Sequence, residues 1–317
     1  MSLNSKAWIG ALRLRTLPLA AGGIILGSFL PEVNIVFSWT IFVLALLTAF
    51  GLQILSNLAN DYGDFVKGTD NDKRIGPQRA LQSGVITQPE MKKALILCGS
   101  LTFILGISLI LMAFGPEQMM QALGMLALGL GAIWAAIRYT VGKRPYGYAG
   151  LGDVFVVAFF GLVSVMGVSY LYLNELNFAL VFPALSYGFL AAGVLNINNM
   201  RDIDNDRDSN KRTLVVMIGG QKARIYHALL ILMALACQFY YLWNLNLGAC
   251  FSPMADMPDL NLRFLALVGF LPVLLNSLQV LKPKQNPADY NPFLKGLSLT
   301  SLGQVFIFVW VLQFLIP

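Results

Sequence analysis

The feature that most constrains this chain is a succession of long apolar stretches with almost no charge inside them. Crossing the hydrocarbon core of a bilayer takes about 20 residues of helix. Stretches of that kind fall near residues 17–30, 35–58, 94–114, 119–140, 152–174, 177–199, 225–247, 263–281 and 295–316. The first reaches spanning length when extended back through Ala11–Thr16, and the eighth is interrupted by Pro272 and Asn276. Lipid offers no partner for backbone polar groups, so each stretch is expected to be a helix. The predicted architecture is therefore an all-α integral membrane bundle of nine transmembrane helices, forming one domain over residues 1–317. Composition agrees, with 12% charged residues and a mean hydropathy of +0.67, against about 25% charged residues in soluble domains.

Nine crossings place alternate loops on opposite sides, and the basic residues sort accordingly. Of the 22 Lys and Arg residues, nearly all fall on the side of the N-terminus, and only Arg263 falls on the other. Lys and Arg accumulate on the cytoplasmic side of membrane proteins, which predicts a cytoplasmic N-terminus and an external C-terminus. The same asymmetry accounts for the pI of about 9.2 without nucleic acid as a partner, since no basic stripe interleaves with aromatic residues. Cys98, Cys237 and Cys250 share no metal-binding spacing and read as small apolar residues. No cleavable signal segment is evident.

Polar residues concentrate in two inner loops, 59–93 and 200–224, which follow the second and sixth helices and form a weak internal repeat. The outer stretch 248–262 carries no cluster that suggests chemistry. The first inner loop opens with Asn60-Asp61-Tyr62-Gly63-Asp64 and continues to Asp70. Asn60 and Asp64 lie four apart and Asp61 and Asp64 three apart, spacings that share a helix face. Gly63 and Gly68 weaken the helix, so Asp70 is expected to return on a loop. The second loop opens with Asn198-Asn199-Met200-Arg201-Asp202-Ile203-Asp204-Asn205-Asp206, where Asn198, Asp202 and Asp206 form an i, i+4, i+8 stripe.

Carboxylates stacked in this way repel one another unless cations neutralise them. Oxygen-only ligands select hard ions, and Mg²⁺ is commonly held by one or two carboxylates with phosphate oxygens completing its shell. The only histidine, His227, lies apart from both motifs, which argues against zinc or iron. The candidate metal ligands are therefore Asn60, Asp61, Asp64, Asp70, Asn198, Asp202 and Asp206, arranged for two Mg²⁺ ions on one diphosphate. The plainer reading, solvated loop acids, suits a single cluster better than two at corresponding helix ends. Basic residues follow each motif: Lys73, Arg74 and Arg79 after the first, Arg201, Lys211 and Arg212 within and after the second. They can anchor the inner face or neutralise the remaining phosphate oxygens. Gly76-Pro77 would fold the loop back as a lid.

On these residues the chain resembles the UbiA-type superfamily of intramembrane prenyltransferases, and within it the menaquinone-pathway branch that prenylates 1,4-dihydroxy-2-naphthoate. The resemblance is carried by Arg13-Leu14-Arg15-Thr16-Leu17-Pro18, Asn60 to Pro77, Pro145 to Asp153, Asn198 to Asp204, and Asp206 to Leu214. It implies a nine-helix bundle with a central cavity open sideways to lipid, in a bacterial cytoplasmic (inner) membrane with the site toward the cytoplasm. It also implies two Mg²⁺ ions on Asn60, Asp64, Asp202 and Asp206. In the wider superfamily the acids of the first motif are spaced by four and the second motif often begins with Asp. Here Asp70 comes two residues late and Asn198 stands in that first place.

The implied reaction joins a polyprenyl diphosphate to the naphthoate with loss of the carboxyl group. Asp64 and Asp202 are expected to be catalytic through the metals. Asp153 would position or deprotonate the acceptor hydroxyl, or else cap its helix. Tyr146 and Tyr148 are expected on the acceptor side. Two alternatives stand beside this reading. One is prenylation of 4-hydroxybenzoate or homogentisate. The other is a cation-coupled transporter, although transporters place their charges near the midplane on broken helices.

Overall fold

The computed structural model describes residues 3–30, 36–70, 75, 79–250 and 263–314, with the side chains of 246–250 left aside. Lys73, Arg74, the Gly76-Pro77 turn and most of the 248–262 stretch lie outside the described residues. Among the described residues every regular element is helical, and nine helices are long and apolar enough to cross a membrane. They are α1 (Asn4–Ser28), α2 (Trp39–Val66), α3 (Gln88–Ala113), α4 (Pro116–Arg138), α5 (Gly152–Leu173), α6 (Phe178–Arg201), α7 (Gly220–Leu245), α8 (Phe264–Leu281) and α9 (Pro287–Gln313).

Several ends lie beyond the apolar runs. The capping box of Thr87 and Glu90 starts α3 at Gln88 rather than near 94, because reciprocal side-chain bonds satisfy the first free amides. The second helix continues to Val66 and so carries Asn60 and Asp64 on regular helix. Within α1 the chain breaks at Arg13, which takes a left-handed backbone (φ 48, ψ 52) before a single 3-10 turn, and Pro18 then opens the segment Leu17–Ser28. The middle of α5, Val157–Gly167, is a π-helix.

Burial ranks the helices. In α6, 61% of the most apolar window is buried, whereas in α3 and α4 the share is 11%. The sixth helix is therefore the central post, and α3 and α4 present their side chains to lipid. Glycines let the backbones of α1, α5 and α6 touch. A Cβ on Gly27 would lie 2.4 Å from the Val165 carbonyl oxygen, and one on Gly161 2.5 Å from that of Ala184. Small residues at such crossings are how helices pack closely where lipid supplies no hydrophobic drive.

Candidate active site

A cavity of about 400 Å³ opens between α1, α2, α3, α4, α5 and α6, within the range of small-molecule sites. One end is polar. It is lined by Asn60 and Asp64 of α2, Asp70 beyond it, Asn198 of α6, and Asp202 and Asp206 just after α6. The two acidic motifs thus face one space, as their spacing predicts. Gly68 (φ 72) turns the chain after α2 so that the amides of Thr69 and Asp70 reach the Asp64 carbonyl at 2.9 and 3.4 Å, which returns Asp70 to the cavity. After α6 the Asp206 amide bonds the Asp202 carbonyl at 2.8 Å, so the helical stripe continues through Ile203–Asp208.

Lys211 joins the motifs. Asn210 (φ 56) reverses the chain, and the Lys211 ammonium comes to 3.5 Å from Asp64 and 3.8 Å from Asp206. Burial works against its charge, but Asp64 and Asp206 outweigh that, and the ammonium is held above the usual lysine range. Burial first, and then Asp202 and Asp64, push the Asp206 carboxyl up to about 6, with Lys211 opposing. Asn205, which sequence reasoning passed over, also lines the cavity. Its amide donates to the Thr69 carbonyl at 2.9 Å, while its buried Oδ1 has no partner among the described residues.

Several expected site residues stand elsewhere. Asp61 does not line the cavity; it is buried and its carboxylate is taken by Arg13 and, at 3.0 Å, by Arg79. Arg201 lies behind Asp202, which it grips with two bonds of 2.8 and 2.6 Å while reaching Asn198 and Asn291. It therefore braces the second motif, and it is not among the residues that line the cavity. Arg212 is exposed. Asp153 is buried beside the cavity without lining it, and it accepts from Tyr226 at 3.3 Å. Arg79 does line the cavity, with its Nε 3.8 Å from Asp70. Tyr148, expected on the acceptor side, stands next to the first motif and is not among the residues that line the cavity. Its hydroxyl donates to Asp64 at 2.8 Å and lies 2.6 Å from the Thr69 hydroxyl. Burial and then Asp64 keep its phenol above the usual range, so it remains a donor.

The rest of the cavity is apolar on one wall and polar on another. Tyr146 stacks on Phe155 at 3.9 Å between ring centres, and Phe155 on Phe159 at 6.1 Å. All three line the cavity, the last through the π-helix. Elsewhere in the lining, Gln53 and Asn57 of α2 each donate to the Thr16 hydroxyl, at 3.1 and 3.0 Å. A smaller apolar pocket shares Thr48, Leu52, Gly106 and Ile110 with the cavity and reaches Phe103 and Leu130, both exposed.

Among the described residues no three Asp, Glu, His or Cys side chains converge as a ready-made cation cage. The donors nevertheless suit Mg²⁺. Each motif offers carboxylate and amide oxygens to one polar end, and this ion takes few protein ligands when a phosphate ester brings its own oxygens. Asp206, pushed up by burial first and then by its acidic neighbours, is the kind of carboxylate a cation would relieve.

Fold and site together define a class: integral membrane transferases in which two acidic motifs cap one end of a lipid-embedded cavity. The chain belongs to the UbiA prenyltransferase family, whose pattern matches residues 20–278. It is 52% identical over 234 residues to the 1,4-dihydroxy-2-naphthoate octaprenyltransferase of Escherichia coli, covering 74% of this chain and 75% of that one. It is 40% identical over 302 residues to the enzyme of the same name from Haemophilus influenzae, covering 94% and 92%. Among solved structures it is similar to a UbiA homologue from Archaeoglobus fulgidus bound to DMAPP and Mg²⁺, with TM-score 0.60, 15% identity and coverage of 95% and 99%. A UbiA homologue from Aeropyrum pernix gives TM-score 0.63 at 15% identity, with coverage of 93% and 96%.

Proposed function

We propose that this protein transfers a polyprenyl group from polyprenyl diphosphate to 1,4-dihydroxy-2-naphthoate with loss of the carboxyl group, the prenylation step of menaquinone biosynthesis. The observation that carries the reading is one cavity with both acidic motifs, Arg79 and Lys211 at its polar end and lipid-facing spans at its apolar end. A diphosphate suits the first and an isoprenoid tail the second. The relatives' names supply the acceptor.

Asn60 and Asp64 on one side, with Asp202 and Asp206 on the other, would hold two Mg²⁺ ions. When bound, Mg²⁺ supplies positive charge to the oxygens of the leaving diphosphate. Arg79 and Lys211 add charge-assisted bonds to the same oxygens. The allylic C–O bond breaks and its electron pair leaves with diphosphate. A ring carbon of the acceptor supplies the pair for the new C–C bond, and departure of the carboxylate as carbon dioxide returns a pair to the ring. Tyr146, Phe155 and Phe159 form an apolar wall against which the ring can stack, and they keep water from the cation. Tyr148 and Arg201 orient Asp64 and Asp202. The site faces the cytoplasm of a bacterial inner membrane, on the side where the basic loops collect, and the chain acts as one domain.

The test is a competition assay with purified protein in lipid, Mg²⁺, labelled polyprenyl diphosphate and equal concentrations of the naphthoate and 4-hydroxybenzoate. Decarboxylated prenyl naphthalenediol should dominate. Prenylated benzoate as the main product, or a prenyl naphthoate that keeps its carboxyl group, would overturn the assignment.

A further inference from the structure

Asp61 belongs by sequence to the first acidic motif, yet its position differs from that of the other acids. Its carboxylate is buried outside the cavity lining, and one oxygen, Oδ1, receives both Arg13 and Arg79. Both arginines are among the residues that line the cavity. One buried carboxylate thus holds two cations at the edge of the cavity. The two arginines are not equivalent. Arg79 also leans toward Asp70, at 3.8 Å, beside the acidic end. Arg13 pairs with Asp61 alone, and its buried Nε has no partner among the described residues.

Arg13 is also held in an uncommon backbone state. Its left-handed conformation is uncommon for a non-glycine residue, and such residues persist where the surroundings fix them. Here Thr16 fixes it, with its hydroxyl donating to the Arg13 carbonyl at 2.9 Å, and so does Asn57, whose amide donates to the neighbouring Leu12 carbonyl at 3.0 Å. These contacts set Arg13 against α2 between the levels of Asn57 and Asp61. Asn57 is seven residues before Asp64, about 10 Å along the helix axis. An anion on the Asn57 side of Arg13 therefore sits on the tail side of the diphosphate end, where the attacking ring must lie.

We propose that Asp61 is a positioning residue and not a metal ligand, and that Arg13, held by it, seats the carboxylate of the aromatic acceptor. This rests on the reading of the protein as a prenyltransferase of an aromatic acid. The planar guanidinium, with Nε unspent, matches a carboxylate edge. The Thr16, Gln53 and Asn57 cluster beside it gives the acceptor's oxygens a polar wall in the cavity that Tyr146 and Phe155 also line.

The test compares wild type with Arg13→Gln, Arg13→Lys, Asp61→Asn and Asp61→Glu in lipid. For each, the KM for the naphthoate, the KM for polyprenyl diphosphate and the half-saturating Mg²⁺ are measured. The inhibition constant of 1,4-dihydroxynaphthalene, the same ring without its carboxylate, completes the set. Arg13→Gln should raise the naphthoate KM about tenfold or more while the other three constants move less than about twofold. Arg13→Lys keeps the charge and the Asp61 partner and should fall between. Asp61→Asn should shift the naphthoate KM in the same direction, with Asp61→Glu restoring part of it. A general loss of fold would move all constants together, so Arg13→Lys guards against that outcome. A tenfold rise in half-saturating Mg²⁺ for Asp61→Asn with an unchanged acceptor KM would make Asp61 a metal ligand and overturn the proposal. A rise confined to the donor KM in Arg13→Gln would assign Arg13 to the diphosphate and overturn it as well. If the wild type prenylates another aromatic acid, the functional assignment fails, and the same comparison with that acid and its decarboxylated ring still decides the role of Arg13.

Discussion

Replacing Tyr148 by Phe removes one oxygen and keeps the ring. That oxygen donates to Asp64 at 2.8 Å and meets the Thr69 hydroxyl at 2.6 Å. The ring remains under the ammonium groups of Lys67 and Lys211, at 5.2 and 5.3 Å from its centre, so packing and cation–ring contacts survive. A hydrogen bond to a charged group contributes about 1.5–3 kcal/mol. Asp64 keeps Lys211 at 3.5 Å and is not left as an unpaired buried charge, which places the loss at the lower end, about 1.5–2 kcal/mol. At about 1.4 kcal/mol per factor of ten, kcat/KM for the donor should fall about 10–30-fold. The half-saturating Mg²⁺ should rise by a similar factor, since a ligand that loses its orienting partner commonly costs about 10–100-fold in metal affinity. The assay is diphosphate release by protein in lipid nanodiscs, with Mg²⁺ varied at fixed donor and thermal unfolding measured alongside. Thr69 stays tied to Asn205 through its carbonyl, so the melting temperature should move by only a few degrees. If kcat/KM and the Mg²⁺ requirement both stay within about twofold of wild type, Asp64 does not depend on Tyr148 for its orientation. A large fall in melting temperature with an unchanged Mg²⁺ requirement would make the bond a structural tie instead.

Three further outcomes are expected. Asp64→Ala and Asp202→Ala should each abolish turnover while the protein remains folded in membranes, because each belongs to a different motif and neither can replace the other; activity within severalfold of wild type for either would remove the two-ion arrangement. The Asp206 carboxyl, pushed up to about 6, takes a proton as pH falls through that value, and an ion must then displace it. Half-saturating Mg²⁺ at pH 5 should be about tenfold that at pH 7.5, and Asp206→Asn should flatten this slope; an equal slope in the variant would place the titration elsewhere. Gly161→Ala puts a methyl group 2.5 Å from the Ala184 carbonyl and 3.0 Å from Gly188, an overpacking that costs about 1–3 kcal/mol and should lower the melting temperature; an unchanged one would show that α5 and α6 separate freely at that crossing.

The bundle was legible in the sequence because hydrocarbon solubility is written along it. Each apolar run became a helix, and the motif spacings placed Asn60 with Asp64, and Asn198 with Asp202 and Asp206, on one cavity end. Helix ends were less legible. Hydropathy reports only the part that lipid covers, so the polar last turns of α2 and the Thr87 cap of α3 escaped it. What spacing could not supply was the identity of distant partners. Asp61 shares a face with Asp64 by count, but Arg13, 48 residues earlier, claims it. Asp153 has a partner, Tyr226, that lies 73 residues later and that spacing does not announce. Arg201 adjoins Asp202 in sequence, and only the fold shows that its long side chain doubles back on that neighbour. Gln53 and Asn57 carried one available signal, amide side chains within an apolar run, where an unsatisfied polar group is costly, whereas Asn205 sits among the charges of the second motif.

The π-helix of α5 gives the cavity wall an unusual dependence on chain length. The lining residues of this span fall in two rows of four-residue steps, Phe155, Phe159, Val163, Gly167 and Leu171 in one and Val156, Phe160, Ser164 and Val168 in the other. In an α-helix each such step advances about 40° around the axis, and a row that long would wind away from the cavity. Val157–Gly167 closes through wider i to i+5 turns, in which four residues fall short of a full turn, and the rotation is reversed. The shape of the hollow is thus stored as phase. Removing a single residue from Val157–Gly167 would let the span relax toward α-helix and swing Val168 and Leu171 about 100° off the wall, redrawing the tail's path with no change of side chain. Insertions and deletions here, more than substitutions, are the route by which such a chain would come to accept an isoprenoid of another length.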